Sequence, residues 1–143
     1  HEDTLGQQAD MLPALDAGLG QFQAAMEELG LSNQVTTFTI SDFGRTLTSN
    51  GKGSDHGWGG NAMVLGGAVQ GGQLYGHFPE QVEDNPLDVG RGRYLPSTAV
   101  DAMYAEVSRW MGVSPDALNT VLPNWRNFEG SAQGTGLTGM LAG

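Results

Sequence analysis

Near the start of the chain, large apolar residues recur at spacings of three and four: Leu12, Leu15, Leu19, Phe22, Met26 and Leu29. That period places them on one stripe and predicts an amphipathic helix over 12–29, its stripe packed against a sheet. Pro13 suits a first turn, so the helix is expected to begin near it. Gly30 followed by Leu31 reads as a glycine stop with an apolar contact beyond it.

The period then changes. Gln34–Ile40 is β-branched or aromatic from Val35 onward and predicts a strand, the α-to-β half of a crossover unit. A further apolar run, Ala62–Leu65 within Asn61–Val69, predicts a second buried strand. A short strand or turn follows at Gln73–Gly76. Residues 80–97 are polar with Pro86, Gly90, Gly92 and Pro96, and read as a surface loop. Thr98 with Asp101 resembles a capping box ahead of a helix whose apolar face is Val100, Met103, Tyr104, Val107, Trp110 and Met111. Ser114-Pro115 opens a last short helix, stopped by Pro123. The fold class predicted is α/β, a partial parallel sheet flanked by helices. Residues 1–129 are expected to form one domain part and 130–143 a flexible glycine-rich tail that does not fold independently.

Composition narrows the function. The 143 residues carry 16 Asp+Glu against 6 Lys+Arg, a net charge of -10. Nucleic acid is therefore not an expected partner, because phosphate binding needs a basic surface. With no cysteine, thiolate catalysis, disulfides and cysteine-type zinc sites are excluded. No stretch is long and apolar enough to predict a membrane span. The chain opens at His1 with no initiator Met and no signal peptide, which suggests a processed end or a fragment boundary.

The candidate chemistry lies after the first strand. Thr39-Ile40-Ser41-Asp42-Phe43-Gly44-Arg45-Thr46 carries an apolar run into a carboxylate, and a glycine-rich loop then delivers Asp55-His56-Gly57. A carboxylate and an imidazole suit a shared divalent metal: zinc, manganese or iron, or calcium or magnesium if oxygens dominate. Arg45 is a planar donor suited to an oxyanion, or to pinning Asp42 in a structural turn. Asp55 is a candidate to orient His56. The loop Gly51–Gly60 lacks the Walker pattern. No Gly-x-Ser-x-Gly occurs, and Ser54 is not read as a nucleophile elbow because no strand is expected before it. His77 reads as a packed or solvated side chain. His1, were it a mature terminus, has an amine and imidazole that could chelate copper.

Taken together, Ser41–Thr46, Asp55-His56-Gly57, Gly66-Gly67, Gly71-Gly72, Tyr75-Gly76 and the late segment from Pro96 through Trp110, Gly112-Val113 and Pro123-Asn124 to Asn127-Phe128 resemble the bacterial family of unknown function designated DUF1501. That family is similar to the alkaline phosphatase and sulfatase superfamily, and many members carry a twin-arginine export signal. The resemblance implies a parallel sheet with metal ligands at strand ends and a periplasmic location. It implies His1, Asp42 and His56 as metal ligands, with Phe43 standing where the superfamily has a second histidine. It implies a small anionic phosphate or sulfate ester as substrate, bound by Arg45. The nucleophile and the first metal-binding Asp would lie in the N-terminal half of the same protein, so this chain alone is expected to be inactive. The rival expectation is a non-catalytic extracytoplasmic binding or assembly module that keeps the superfamily fold.

Overall fold

The structure, a computed structural model, describes residues 2–82 and 84–142. Its elements are α1 (Thr4–Glu28), β1 (Thr37–Phe38), β2 (Arg45–Ser49), β3 (Ser54–His56), β4 (Val64–Leu65), α2 (Val100–Trp110), α3 (Pro115–Val121) and α4 (Ala132–Thr135), with single 3-10 turns at Ser32–Gln34 and Trp125–Asn127. No described helix is long and apolar enough to cross a membrane. The chain divides into two compact units. One holds the chain through Gly67 together with Glu80–Leu95, and the other holds Ala68–Pro79 with Pro96 onward.

In the first unit, α1 starts nine residues earlier than Pro13 suggested, and Pro13 lies inside it. Its end is as expected. Gly30, at φ 69°, donates to Glu27 O, and Leu31 donates to Met26 O. These paired bonds satisfy the last carbonyls of the helix, and the left-handed turn favours glycine. The apolar stripe exists but is not covered. No residue of α1 is buried, and Leu12, Leu15 and Phe22 are exposed.

The expected parallel sheet is not what the described residues form. β1 pairs antiparallel with β4, placing Thr37 opposite Leu65 and Phe38 opposite Val64. β2 pairs antiparallel with β3, Arg45 opposite His56 and Ser49 opposite Ser54, with a register irregularity between the two pairs. Only two residues of the 34–40 run sit in a ladder, because β4 offers only two partners. The β2–β3 hairpin arises where a loop was expected. Alternation along Arg45–Ser49 leaves Thr46 at 5% exposure while Arg45 and Leu47 face outward. The turn 88–94 then adds to β2: Leu47 N donates to Gly92 O at 3.1 Å and Thr48 N to Arg91 O at 3.3 Å.

The second unit holds the core. Ala102, Ala105, Leu118 and Trp125 cluster there, flanked by Val113, Leu122, Phe128 and Leu137. α3 begins as the sequence suggests, with Ser114 Oγ accepting from Ala117 N and Pro115 at the first helical position. α2 does not use the Thr98 box; its N-cap is Ala99, with no side-chain bond. Its buried face is Ala102, Met103 and Ala105, whereas Val100 and Met111 stay exposed.

The glycine-rich stretch from 130 behaves differently from a loose tail. Ala99 N donates to Gln133 O, Gly76 N to Gly136 O, Gln70 N to Met140 O and Ala142 N to Ala68 O. Met140 and Leu141 are buried. The stretch forms no unit by itself; Gly134 and Gly136 fit close against their neighbours, Gly136 lying against the Gly76 backbone, while Gly130 and Gly139 face open space.

Candidate functional site

The β2–β3 hairpin sets the geometry of the candidate site. Ser41 makes the turn before it: its Oγ donates to Phe43 O at 2.8 Å and accepts from Phe43 N. Asp42 is exposed in that bend. Gly44 is needed where the chain passes the 57–60 segment. It donates to Trp58 O, accepts from Gly57 N, and a Cβ there would overlap Gly59 O.

Residues 43 and 45 leave the same face of an extended chain, and the cross-strand partner of Arg45 shares that face. Phe43, Arg45 and His56 therefore meet. The Phe43 and His56 rings stack with centroids 3.7 Å apart and planes 17° from parallel. The Arg45 guanidinium lies 5.3 Å from the Phe43 centroid, and its Nη1 donates to Ser54 O at 3.1 Å. Arg45 is thus held by a carbonyl and a ring rather than by Asp42. Its other N–H groups lie on an exposed face.

Asp55 is tied into the hairpin and the turn beside it. Its carboxylate accepts from Asn50 Nδ2 at 2.9 Å and pairs with Arg91 at 3.0 Å, while its backbone N donates to Thr46 Oγ1. The Asn50 donation, aided by the Arg91 charge, outweighs desolvation and holds this carboxyl below its usual value. Asp55 ties the hairpin to the 88–94 turn. That turn is itself set by Asp88, which accepts from Gly90 N and Gly92 N.

The Asn50–Gly53 loop does not cradle phosphate with its amides. Gly51 N donates to Ser49 Oγ, and Lys52 N and Gly53 N donate to Asn50 Oδ1, so these donors are spent within the loop. A strand does precede Ser54, contrary to the sequence expectation. A second strand rather than a helix follows it, so the segment is still no nucleophile elbow. His77 is exposed, and its carbonyl accepts from Ser97 Oγ at 2.6 Å.

Of the three predicted metal ligands, His1 lies outside the described residues. Among the described residues, no three His, Cys, Asp or Glu side chains gather into a group that could hold a metal ion. One face of the His56 ring is covered by Phe43. Asp42 and His56 are two donors, fewer than the three or four protein ligands a zinc site takes. Phe43 is the residue whose role the sequence reading missed; its spacing two before Arg45 in an alternating run was the available signal.

The chain matches the family described as a protein of unknown function (DUF1501) over residues 1–127, and it belongs to that family. No curated protein and no solved structure matches it.

Proposed function

We propose that this chain is the anion-recognising part of an exported, periplasmic hydrolase of phosphate or sulfate esters, related to the alkaline phosphatase and sulfatase superfamily and completed by the N-terminal half of the same protein. The observation that carries the reading is the cross-strand pair Arg45 and His56, two nitrogen-donor side chains brought together on an exposed face. Arg45 has its guanidinium steadied by Ser54 O and Phe43, which lowers the entropy lost when it grips an oxyanion. The ester oxygens would contact Arg45 and His56; the nucleophile would come from outside residues 1–143.

The exposed α1 stripe supports the completing half. Among the described residues, Tyr94 is the single buried apolar side chain of the first unit. A unit of this size without a core is marginal by itself. An additional sheet against Leu12, Leu15, Leu19 and Phe22 would supply that core, and with it the parallel pairing that β1 lacks here. A divalent metal, when bound, would supply Lewis-acid stabilisation of the ester. Asp42, His56 and His1 are the residues this chain would offer it, and since the described pair is too few, no step is derived through it.

The test uses the full-length protein. Arg45→Ala is expected to raise KM for an aryl phosphate or aryl sulfate, and Asp42→Ala with His56→Ala to lower bound metal measured by elemental analysis. Unchanged KM in the Arg45 variant would remove the anion reading; unchanged metal content would remove the ligand reading.

The second reading, a non-catalytic binding or assembly module, is favoured by the Phe43–His56 stack, which occupies the imidazole face with a phenyl ring. Binding of an aryl sulfate by full-length protein, lost in Arg45→Ala, with no turnover at any added metal, would decide for it.

A further inference from the structure

We infer that Asn50-Gly51 is a deamidation site, held in check by the folded β2–β3 hairpin and able to unlock it once converted. The reaction needs a backbone nitrogen with little steric cover and a neighbouring side-chain amide. Gly51 provides the first, having no Cβ, and sits at φ 96° in an exposed loop. Asn50 provides the second. The Gly51 nitrogen attacks the Asn50 side-chain carbonyl carbon, losing its proton to solvent. The new C–N bond closes a succinimide, and the side-chain nitrogen takes up a proton and leaves as ammonia. Water then opens the ring to aspartate or isoaspartate at position 50.

In the hairpin both reactants are engaged. The nucleophile, Gly51 N–H, donates to Ser49 Oγ at 3.0 Å. The electrophile is held by Lys52 N at 3.1 Å and Gly53 N at 2.8 Å on its oxygen, and by Asp55 Oδ1 at 2.9 Å on its nitrogen. Attack requires the side chain to leave these partners, so conversion proceeds through opened hairpins. The product cannot return to the same fit. A carboxylate at position 50 has no N–H for Asp55 and would face it as a like charge at hydrogen-bond distance. Isoaspartate also lengthens the backbone by one carbon, against the Ser49–Ser54 register. Conversion therefore loosens the strand that carries His56.

The experiment incubates the full chain in mildly alkaline buffer, native and in urea, and follows position 50 by peptide mapping and mass spectrometry. Native conversion is expected to be slower than denatured conversion by roughly tenfold or more, as for a reaction gated by local opening. Ser49→Ala and Asp55→Ala are each expected to speed native conversion and leave the denatured rate unchanged. Should Asp55→Ala fail to fold, Ser49→Ala carries the comparison. Equal native and denatured rates in the unsubstituted chain, no conversion in urea, or no effect of Ser49→Ala would overturn the inference.

Discussion

His56 lies face to face with Phe43, the ring centroids 3.7 Å apart, and it is this phenyl rather than the adjacent Asp42 that the imidazole meets. Asp42 lies exposed in the bend that Ser41 makes before β2, whereas Phe43, one residue on, stacks on the ring. The relationship decides which chemistry the hairpin presents: an imidazole backed by a ring beside a guanidinium.

Removing the ring tests the stack. Phe43→Leu should shift the His56 ring-proton resonances, which now lie over an aromatic face, and cost about 0.2–1 kcal/mol as the loss of one exposed cross-strand contact. Proton NMR of the imidazole and thermal unfolding measure the two. Unmoved His56 resonances would mean the rings do not stack in solution.

Asp55 makes the hairpin acid-sensitive in a defined direction. Its folded value lies below the ordinary carboxylate value of 3.8, so its contribution is complete above that value and is lost as pH falls through the lowered one. The Lys52 and Gly53 amide resonances should move in that acidic window. Asp55→Asn, which carries no titrating carboxyl, should abolish the movement; persistence of it would assign the transition to another group.

Glycine substitutions should separate packed from open backbone. Gly92 sits at φ 68°, and a Cβ on it would overlap the Leu47 side chain and crowd Leu47 N at 2.8 Å. Gly92→Ala should cost more than about 1 kcal/mol, since left-handed strain and overlap act together. Gly18→Ala, with open space around it on α1, should instead stabilise the helix by about 0.5–1 kcal/mol. Helix content by circular dichroism and chemical denaturation read both.

The second unit should respond as a packed core does. Leu118 is 2% exposed among Ala102, Ala105 and Trp125. Leu118→Ala should destabilise it by about 2–5 kcal/mol, the range for a leucine truncated in a core. Deleting Met140–Gly143 should also lower the melting temperature of that unit, because Met140 and Leu141 are buried and Ala142 N bonds Ala68 O. An unchanged melting curve would return the tail to the loose state its composition suggests.

If the proposed N-terminal half covers it, the α1 stripe should behave differently in the chain alone and in the completed protein. Alone, it should bind a hydrophobic dye, and Leu15→Asp with Phe22→Asp should reduce that binding without destabilising the chain. In the full-length protein the same pair should be strongly destabilising, because the stripe would then be buried. Equal tolerance in both contexts would deny that the N-terminal half covers it.

Sequence alone determined what depends on near neighbours. The period of three and four made α1, Gly30 and Leu31 closed it, and Ser114-Pro115 opened α3, because caps and helical faces are properties of a few adjacent residues. Family membership was legible for a similar reason, since the resemblance rests on runs of adjacent residues such as Ser41–Thr46 and Asp55-His56-Gly57, and the family matches over residues 1–127. The β2–β3 hairpin reads as a loop in the sequence, because the density of glycine masks the Asn50-Gly51 turn between Arg45–Ser49 and Ser54–His56. Tertiary structure decided the rest. Strand direction depends on which partner β1 and β2 find, the glycine-rich end depends on the surfaces that receive it, and the meeting of Phe43, Arg45 and His56 depends on cross-strand register. Each is a contact between distant positions, which no local pattern encodes.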